Sequence, residues 1–438
     1  MKPVSRTIRR ESVLTVRQIQ SAAMPTDAPL HGIRILEVSA LGPAAITMPL
    51  IDLGAEVIKV EPPAGDYIRE MTWPIVEGVS LMHLHLNRGK RSIVMDLRTE
   101  EDVATFKELA KTCDVVVEAG RPGVLARRGV GYDDLVALNP DIVFCTISGY
   151  GMTGPYKDLP AHGVAFDTWA GIVTPQVDED GFSYLPEHAS MGIHAGPLFG
   201  ALGIMAAVLR AKVTGEGSYL EIAQSDAAAA MDWYRSETWK AYDRPESEVT
   251  GNKSDNYERR DPGTGGMIHG VRYQVYKAAD GRYVLFMASE QSLWKNFCEA
   301  VDRVDLFEKW PGSKYADHAV GNLELRAELR DIFATRTATD WIDYGTERNF
   351  PVAPVNSPKT IADDPQFQDR FHWYPVDQLG SEQLGSPIKF LGEQLPVPAH
   401  APTVGQHTDE VLADVLGWDA ARIEESRAKG GLGGPSDA

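Results

Sequence analysis

The sequence predicts an α/β fold: an open parallel sheet forms a large domain, and a smaller α+β domain is inserted into it. Two patterns predict this fold. Short β-type runs alternate with helical patterns over the first half of the chain, and a polar, glycine-rich stretch at 255–266 leads into a hairpin pattern. The length of 438 residues also exceeds what one hydrophobic core usually serves, so two domains are expected.

The large domain begins with a strand at 33–38. A helical pattern follows Gly42-Pro43 and ends at Gly54, and a second strand follows at 57–60. This order indicates a βαβ unit with parallel strands. The same pattern predicts further strands at 92–97, 114–118, 142–147 and 219–222, and helices at 100–111, 132–138 and 196–212. Ligands of such a sheet bind beyond the carboxyl ends of its strands.

The small domain is predicted from a change of pattern in the middle of the chain. β-type runs at 273–276 and 283–287 flank a turn at Asp280-Gly281, which is typical of a hairpin. We therefore divide the chain into a flexible tail at 1–29, the first part of the large domain at 30–230, a small α+β domain at 235–345, a return to the large domain at 350–425, and a second flexible tail at 426–438.

Composition excludes several classes of function. The chain has 43 Lys and Arg against 62 Asp and Glu, a net charge of -19, so neither nucleic acid nor an anionic membrane is an expected partner. No run of 18 or more apolar residues is apparent, so no membrane span is expected. Cys113, Cys145 and Cys298 show neither paired nor metal-like spacing, which favours a cytoplasmic protein without a metal.

Several short motifs are spread along the chain. They are 54–61, 87–92, Arg121-Pro122-Gly123 with Arg127, Gly149-Tyr150-Gly151 and Gly154-Pro155. In this order and spacing, over roughly residues 30–410, the chain resembles the class III CoA-transferases and their relatives, the α-methylacyl-CoA racemases. The resemblance implies an enzyme that transfers coenzyme A between an acyl-CoA and a carboxylic acid. It also implies an interlocked homodimer, with a Rossmann-like large domain built from both ends of each chain.

The resemblance also points to residues that bind CoA. Cations stand in loops beside the β-type runs, and the pyrophosphate and 3′-phosphate of CoA need such charge: Arg88, Lys90, Arg91, Arg121, Arg127 and Arg128. Lys90, Arg91 and Arg127 are the predicted phosphate ligands. The backbone at Ser39-Ala40 and at Gly149-Tyr150 is predicted to contact CoA as well. The chain departs from relatives at Pro62 and Ala119-Gly120, so we expect a different hold on the nucleotide end.

The catalytic residues of the family are only partly present. The transferases use an Asp carboxylate as nucleophile, and that position falls on Gly163 in this chain. Asp167, four residues later, is the nearest carboxylate and a candidate replacement. In the racemases a His and an Asp move the proton α to the thioester. His162 matches that His, whereas the Asp position falls on Gly192.

Other residues complete the candidate site. Glu290 follows the small-domain hairpin and matches a third racemase carboxylate, and His188 or His194 is a candidate for the space near Gly192. A segment that includes Gly263, Gly265 and Gly266 resembles the glycine-rich loop that closes over the transferase active site.

Three functions follow from this site. The first is CoA transfer between carboxylic acids, with Asp167, Glu290 or another carboxylate as the nucleophile. The second is isomerisation, epimerisation or elimination on an acyl-CoA, with His162 as the base at the α-carbon. The third is a non-catalytic relative that only binds acyl-CoA. The acyl group itself is not identified by the sequence.

Overall fold

The computed structural model describes residues 28–71, 73–76, 78–251, 257–259, 269–314, 317–371 and 373–433. These residues divide into two compact units. The first unit contains 28–231 and 373–433, and the second contains 232–371.

The described residues form fifteen strands and seventeen α-helices, numbered here in chain order. The strands are β1 Arg34–Val38, β2 Glu56–Glu61, β3 Ile75–Val76, β4 Val79–Ser80, β5 Arg91–Val94, β6 Val115–Ala119, β7 Val143–Ser148, β8 Gln176–Val177, β9 Ser183–Tyr184, β10 Ser218–Ala223, β11 Tyr273–Lys277, β12 Tyr283–Met287, β13 Val352–Pro354, β14 Trp373–Tyr374 and β15 Gln383–Leu384. The helices are α1 Met48–Asp52, α2 Ile68–Met71, α3 Leu81–Asn87, α4 Glu100–Ala110, α5 Tyr132–Val136, α6 Val164–Trp169, α7 Met191–Thr214, α8 Gln224–Met231, α9 Trp233–Tyr242, α10 Gln291–Ala300, α11 Val304–Lys309, α12 Leu323–Phe333, α13 Ala338–Arg348, α14 Pro365–Arg370, α15 Val376–Leu379, α16 Thr408–Leu416 and α17 Ala420–Ala428.

The first unit is built on a six-stranded parallel sheet. Its strand order is β10-β7-β6-β1-β2-β5, and every neighbouring pair is parallel. The central strands are apolar and buried because helices cover both faces, and all six residues of β7 are buried. Charged residues interrupt this apolar pattern at a few positions, and Glu37 of β1 stands opposite Lys59 of β2 in the register. The predicted α/β fold class is confirmed.

Helix α7 corrects one expectation from the sequence. Its 24 residues include a window with a mean hydropathy of 1.7, so by length and composition this helix is apolar enough to cross a membrane. The expectation that no such segment exists was wrong. One side of α7 packs inside the first unit, where Gly196 lies against Gln224 of α8 and Gly200 lies against Ile46. Because glycine and alanine occupy this side, neighbouring elements approach the helix backbone closely.

The second unit combines a small antiparallel sheet with helices. Strands β11 and β12 form the predicted hairpin, and β13 pairs with β12, where Leu285 stands opposite Ala353. Because β13 completes this sheet, the predicted return to the large domain at 350 was placed too early, and the first unit resumes at Trp373. The core of the second unit consists largely of aromatic side chains.

The C-terminal segment is packed rather than flexible up to residue 433. Helix α17 continues to Ala428, and Leu432 is buried against the first unit. The backbone N–H of Leu432 donates to Oδ1 of Asp102 at 2.9 Å. The predicted flexible tail at 426–438 was therefore wrong for 426–433. Residues 434–438, like 1–27 of the predicted N-terminal tail, lie outside the described residues.

Candidate active site

Loops from the carboxyl end of the parallel sheet meet the start of α7. An added Cβ on Gly42, in the loop after β1, would lie 3.9 Å from the Ile193 side chain, and one on Gly163, before α6, would lie 4.0 Å from it. The loop after β7 joins this group because Gly149 packs against Phe166 of α6. The arrangement gathers the predicted catalytic and CoA-binding segments of the first unit at the sheet edge where open α/β proteins bind ligands.

Asp167 is a buried hydrogen-bonding residue at the centre of this group. Its side chain is fully buried, and its Oδ1 accepts the backbone N–H of Gly192, in the first turn of α7, at 2.8 Å. Its Oδ2 lies 3.2 Å from Nε2 of His188. Because both oxygens are occupied and shielded, Asp167 does not fit the predicted role of a free nucleophile. The geometry is that of a residue that positions His188 and the start of α7.

His188 meets a hydrogen-bond acceptor at each ring nitrogen. Nε2 faces the Asp167 carboxylate, and Nδ1 lies 3.0 Å from the carbonyl oxygen of Pro186. A neutral ring donates at one nitrogen only, whereas a doubly protonated ring would donate to both acceptors. The ring stays 17% exposed, whereas its carboxylate partner is fully covered. The His188 ring is therefore the reachable member of the pair.

Two glycines, Gly163 and Gly192, stand where the family has a carboxylate residue, and neither position accepts a side chain easily. Gly163 has a φ of +32°, a conformation that side-chain-bearing residues rarely adopt. An added Cβ on Gly192 would lie 2.7 Å from Cβ of Phe166, closer than the packing allows. The backbone at both positions therefore suits glycine, and the Asp167–His188 pair occupies the space beside Gly192.

His162 and His194 remain open to solvent in the first unit. His162 stands one residue before the N-cap of α6, is exposed, and has no side-chain hydrogen bond to any described residue. His194 lies near the start of α7 and is also exposed. Nearby, burial lowers the pKa of His85 to about 4, with smaller contributions from Arg88 and His194. His85 is therefore neutral at pH 7, with Nδ1 accepting from Arg88 at 3.0 Å.

Glu290 belongs to the second unit. It is exposed, directly precedes α10, and forms no side-chain cap hydrogen bond. Its neighbour Ser289 lies 3.0 Å from Nδ1 of His318, with the hydroxyl near the end of β12. The predicted loop residues Gly263, Gly265 and Gly266 lie outside the described residues.

Two predicted phosphate ligands are instead bound to protein carboxylates. Lys90 is buried, its Nζ lies 2.9 Å from Glu37, and burial lowers its pKa to about 8. Arg91 contacts three carboxylates within 3.0 Å: Glu56, Glu410 and Asp414. Lys90 is thus enclosed by protein, and both terminal nitrogens of Arg91 contact carboxylates. These partners are distant along the chain, so the sequence does not reveal them, and direct contact of either cation with a CoA phosphate stays a prediction.

The backbone positions predicted to contact CoA are differently placed. The Ser39 hydroxyl donates to Glu37 at 2.6 Å, which leaves only its backbone for a ligand, and Ala40 is half-buried beside it. Gly149 and Tyr150 form a bend after β7. The Tyr150 ring packs on Phe166 with centroids 5.7 Å apart. The loops after β1 and β7 thus present backbone groups, with side chains turned to protein partners.

Arg127 lines an exposed basic groove of about 420 Å³. The groove is lined by Leu97, Arg98, Thr99, Glu100, Val103, Ala104, Lys107, Arg127 and Arg128. Arg98 is paired with Asp96 at 2.6 Å, whereas Lys107, Arg127 and Arg128 form no salt bridge with any described residue. In a chain of net charge -19, a group of exposed cations without salt bridges favours a phosphate-bearing ligand.

Three buried residues that shape the site were missed from the sequence. Glu37 and Lys59 lie beneath the loop after β1, and Glu118 at the end of β6 accepts the backbone N–H of Leu125 at 2.8 Å. Glu118 thereby fixes the loop that carries Arg127. A signal was present in each case, because all three charges interrupt otherwise apolar strand runs, where unpaired charge is costly.

The fold and site together define the class of protein. An open α/β sheet carries a carboxylate–imidazole pair and a basic groove at its ligand-binding edge, as expected of an enzyme that acts on a phosphate-bearing thioester. The model of CoA-transferase family III matches residues 30–408. The chain belongs to this family and is a CoA-transferase, which transfers CoA between an acyl-CoA and a carboxylic acid. The predicted family and activity are thus confirmed.

Individual relatives agree with this assignment. The chain is 32% identical to a succinyl-CoA:mesaconate CoA-transferase of Haloarcula hispanica over 413 residues, covering 90% of this chain and 98% of the relative. It is 30% identical to the succinyl-CoA:glutarate CoA-transferase of Homo sapiens, covering 92% and 89%. Among solved structures it is similar to Rv3272 of Mycobacterium tuberculosis, with a TM-score of 0.71 and 25% identity over 87% of this chain and 98% of that one.

Proposed function

We propose that this enzyme moves CoA from a short dicarboxylyl-CoA, such as succinyl-CoA, to a second carboxylic acid. The names of its relatives support the donor. Relatives that act with mesaconate, glutarate and L-malate are each named for succinyl-CoA, and they match nine-tenths or more of this chain. The observation that carries the mechanism is the contact between Asp167 and His188, since no exposed carboxylate occupies the family's nucleophile position.

The reaction proceeds by direct displacement without an enzyme-bound acyl group. The acceptor carboxylate attacks the thioester carbonyl, the C–S bond breaks, and a mixed anhydride and CoA thiolate form. The thiolate then attacks the acceptor's carbonyl carbon, so that acceptor-CoA forms and the donor leaves as its free acid. Atoms and charges balance at each step. The two acids supply both carboxylates, which removes the need for a protein nucleophile at Gly163.

His188 serves this chemistry as an acid and a base. Its imidazolium transfers a proton from Nδ1 to the departing thiolate and recovers it before the thiolate attacks again. Asp167 holds Nε2 and stabilises the positive ring, as a buried carboxylate does for a catalytic His in other enzymes. To reach the sulfur, the Nδ1–H of His188 must break its hydrogen bond to the Pro186 carbonyl oxygen. Pro186 and His188 are two residues apart in one short loop.

The basic groove is the proposed site of the nucleotide end of CoA. Arg127 and Arg128 lie after β6, and Lys107 lies on α4, so two chain segments bring uncompensated charge to one groove. The chain has Pro62 and Ala119-Gly120 at positions where relatives offer other side chains, and the groove supplies the charge instead. The backbone of Ser39-Ala40 and Gly149-Tyr150 is proposed to guide the pantetheine arm toward His188.

His162, His194 and Glu290 keep proposed roles around the acyl group. His162 precedes α6 and His194 lies near the start of α7, both with exposed side chains, and each is proposed as a donor for the distal carboxylate of a dicarboxylyl-CoA. Glu290 is kept as a proposed catalytic carboxylate, and Gly263, Gly265 and Gly266 are kept as proposed substrate-binding residues.

A homodimer is also proposed. One face of α7 exposes a row of large apolar side chains, with Leu202 at 66%, Leu209 at 67% and Val213 at 77% exposure. Such a stripe on a helix whose other face is buried needs a partner surface, and a second copy of this chain is the proposed partner. Light scattering after gel filtration is expected to give twice the chain mass. A monomeric mass at micromolar concentration would contradict the dimer.

A cytoplasmic location is proposed from the cysteines. Cys113, Cys145 and Cys298 are all free and buried, and burial raises the pKa of each thiol to about 12. Three unpaired thiols suit a reducing compartment. Fractionation of the source cells with an antibody to the protein tests this, and recovery in the membrane fraction would contradict it.

An isotope experiment tests the reaction. Unlabelled succinyl-CoA is mixed with glutarate that carries ¹⁸O in both oxygens of each carboxylate, and excess enzyme limits the reaction to a single turnover. Direct displacement places one ¹⁸O in the released succinate. Catalysis through an enzyme carboxylate instead releases unlabelled succinate and leaves the ¹⁸O on that enzyme carboxylate. A parallel reaction in D₂O tests α-carbon chemistry. Deuterium at the α-carbon without glutaryl-CoA would replace the proposed transfer by base chemistry at His162.

A further inference from the structure

The loop after β1, residues 39–47, rests on a buried group of charges. Glu37 of β1, Lys59 of β2 and Lys90 before β5 have side chains with no exposed surface, and Asp66 is nearly as buried. Lys59 Nζ lies 3.1 Å from Asp66 and 3.5 Å from Glu37. Two ammonium groups and two carboxylates balance each other, so the group is neutral as a whole.

This charge group holds the loop directly. Lys59 Nζ donates to the carbonyl oxygen of Ser39 at 2.8 Å, and Lys90 Nζ donates to that of Ala44 at 2.8 Å. The Glu37 carboxylate accepts the hydroxyls of Ser39 and Thr47. The loop is therefore fixed at four points from below, and hydrogen bonds to charged groups are the stronger kind.

The conformation that is held in place is a strained one. Leu41 has φ +55° and ψ −144°, a region that a residue with a side chain rarely occupies. Such a conformation persists when the surrounding contacts enforce it. Among the described residues, the backbone N–H groups of Ala40, Leu41 and Gly42 have no hydrogen-bond acceptor. Three consecutive unpaired donors thus stand at the carboxyl end of β1, beside Ile193 and Gly163.

We propose that Lys90 is a positioning residue, which together with Lys59 holds the loop so that the N–H groups of Ala40, Leu41 and Gly42 are available to acyl-CoA. The proposal rests on the proposed binding of CoA at Ser39-Ala40. It assigns Lys90 an indirect role through the Ala44 carbonyl, since its ammonium is enclosed by protein.

A pair of variants tests the role in steady-state kinetics with the full chain. Lys90→Met keeps the length of the side chain and removes the ammonium, while Arg272→Met removes a buried cation of the second unit as a matched control for lost stability. We expect the KM for succinyl-CoA and the Kd for CoA to rise about tenfold in Lys90→Met, with the KM for glutarate unchanged. Arg272→Met is expected to keep all three values. An unchanged KM for succinyl-CoA in folded Lys90→Met, or an equal rise in both variants, overturns the proposal.

A second measurement on the wild-type protein decides the matter if Lys90→Met does not fold. Hydrogen exchange is followed at 40–42 with and without saturating CoA. We expect CoA to slow exchange at these amides at least about tenfold, and unchanged exchange in a protein that binds CoA overturns the proposal. This readout needs no turnover. Protection without any CoA transfer would therefore sink the proposed function and leave the role of the loop intact.

Discussion

The two units of the molecule are stabilised by different kinds of interior. The first unit buries ionised side chains at the ends of its strands, with Glu37 between Lys59 and Lys90. The second unit packs aromatic rings on one another, as in the contact between Phe286 and Phe297 with centroids 4.5 Å apart. Loops that bind a ligand need fixed carbonyl and N–H groups, which buried charges hold at defined points. An aromatic core fixes shape, and the buried cation Arg272 of this unit stacks over the ring of Trp294.

The largest expected effect comes from unbalancing the charged interior. Burial alone would raise the pKa of Glu37, but Lys90, Lys59 and two hydroxyls outweigh it and hold this pKa below its usual range. Glu37→Gln removes one negative charge, so that the two buried ammonium groups of Lys59 and Lys90 are balanced only by the carboxylate of Asp66. We expect a loss of about 3–5 kcal/mol in the free energy of unfolding, measured by urea denaturation at pH 7.

The matched change in the second unit is Phe333→Leu, which keeps an apolar side chain in the aromatic core. Its expected cost is about 1 kcal/mol, since the neighbours repack without any unpaired charge. Equal losses in the two variants would remove the distinction between the two interiors.

A second effect concerns acid stability and is assigned to the first unit. The pKa of His85 in the folded state is about 4, below its unfolded value near 6.5. Between these two pH values the unfolded chain binds a proton at His85 and the folded chain does not. Stability from this group is complete above pH 6.5 and is lost as the pH falls to 4, by about 3 kcal/mol. In His85→Asn, whose Oδ1 still accepts from Arg88, the fall between pH 6.5 and 4.5 is expected to be shallower. A wild-type slope in His85→Asn would show that His85 is already charged in the fold.

The third effect is on catalysis. Asp167→Asn keeps an oxygen for the Gly192 N–H but places an NH₂ opposite Nε2 of His188, which disfavours the imidazolium. We expect kcat for CoA transfer to fall at least about 100-fold, with little change in the KM for succinyl-CoA, in initial-rate assays. The control is Thr168→Ala, an exposed neighbour on the same helix whose hydroxyl bonds only within α6.

The second unit gives the comparison for this catalytic effect. Glu290→Gln removes its candidate carboxylate without disturbing the core, because Glu290 is exposed. A loss in Glu290→Gln with full activity in Asp167→Asn would move the catalytic carboxylate from the first unit to the second.

Much of the fold followed from the local pattern of the sequence. Each of the six parallel strands was predicted from a short β-type run, and the central strands were the clearest because strands buried on both faces carry mostly apolar residues. The hairpin of β11 and β12 was equally visible from its turn at Asp280-Gly281. The boundary near 350 was misplaced because β13 has only three residues, and its membership is decided by pairing with β12, a contact across more than sixty positions of the chain.

The site was harder to predict because its chemistry depends on partners that are distant in sequence. Lys90 and Arg91 look alike as loop cations, and only the fold shows that one supports a loop while the other joins Glu56 to α16. The burial of Asp167 and its contacts with Gly192 and His188 could not be predicted from its spacing along a helix. From the sequence, His188 was only a candidate for the space near Gly192, because its partner Asp167 lies 21 positions earlier in the chain.

The smallest expected effect lies at the surface, where each unit has one basic groove. The groove of the first unit contains Lys107 and Arg127, and the groove of the second, of about 340 Å³, contains Lys277, Arg326 and Arg330. The first groove is lined by residues that follow β5 and β6 of the parallel sheet, and it is the proposed site of the nucleotide end of CoA. Lys107→Gln is expected to raise the KM for succinyl-CoA about fivefold at low salt, because an exposed charge contributes about 1 kcal/mol.

This effect should weaken in 0.5 M salt, since mobile ions screen exposed charges. It should also shrink for succinyl-dephospho-CoA, which lacks the 3′-phosphate. Arg326→Gln removes a comparable cation from the groove of the second unit and is expected to leave the KM unchanged. If Arg326→Gln raises the KM and Lys107→Gln does not, the nucleotide end binds at the second unit. Basic residues of the second unit would then bind the ligand, although few charges lie in the interior of that unit. The contrast between the two units would apply only to their cores.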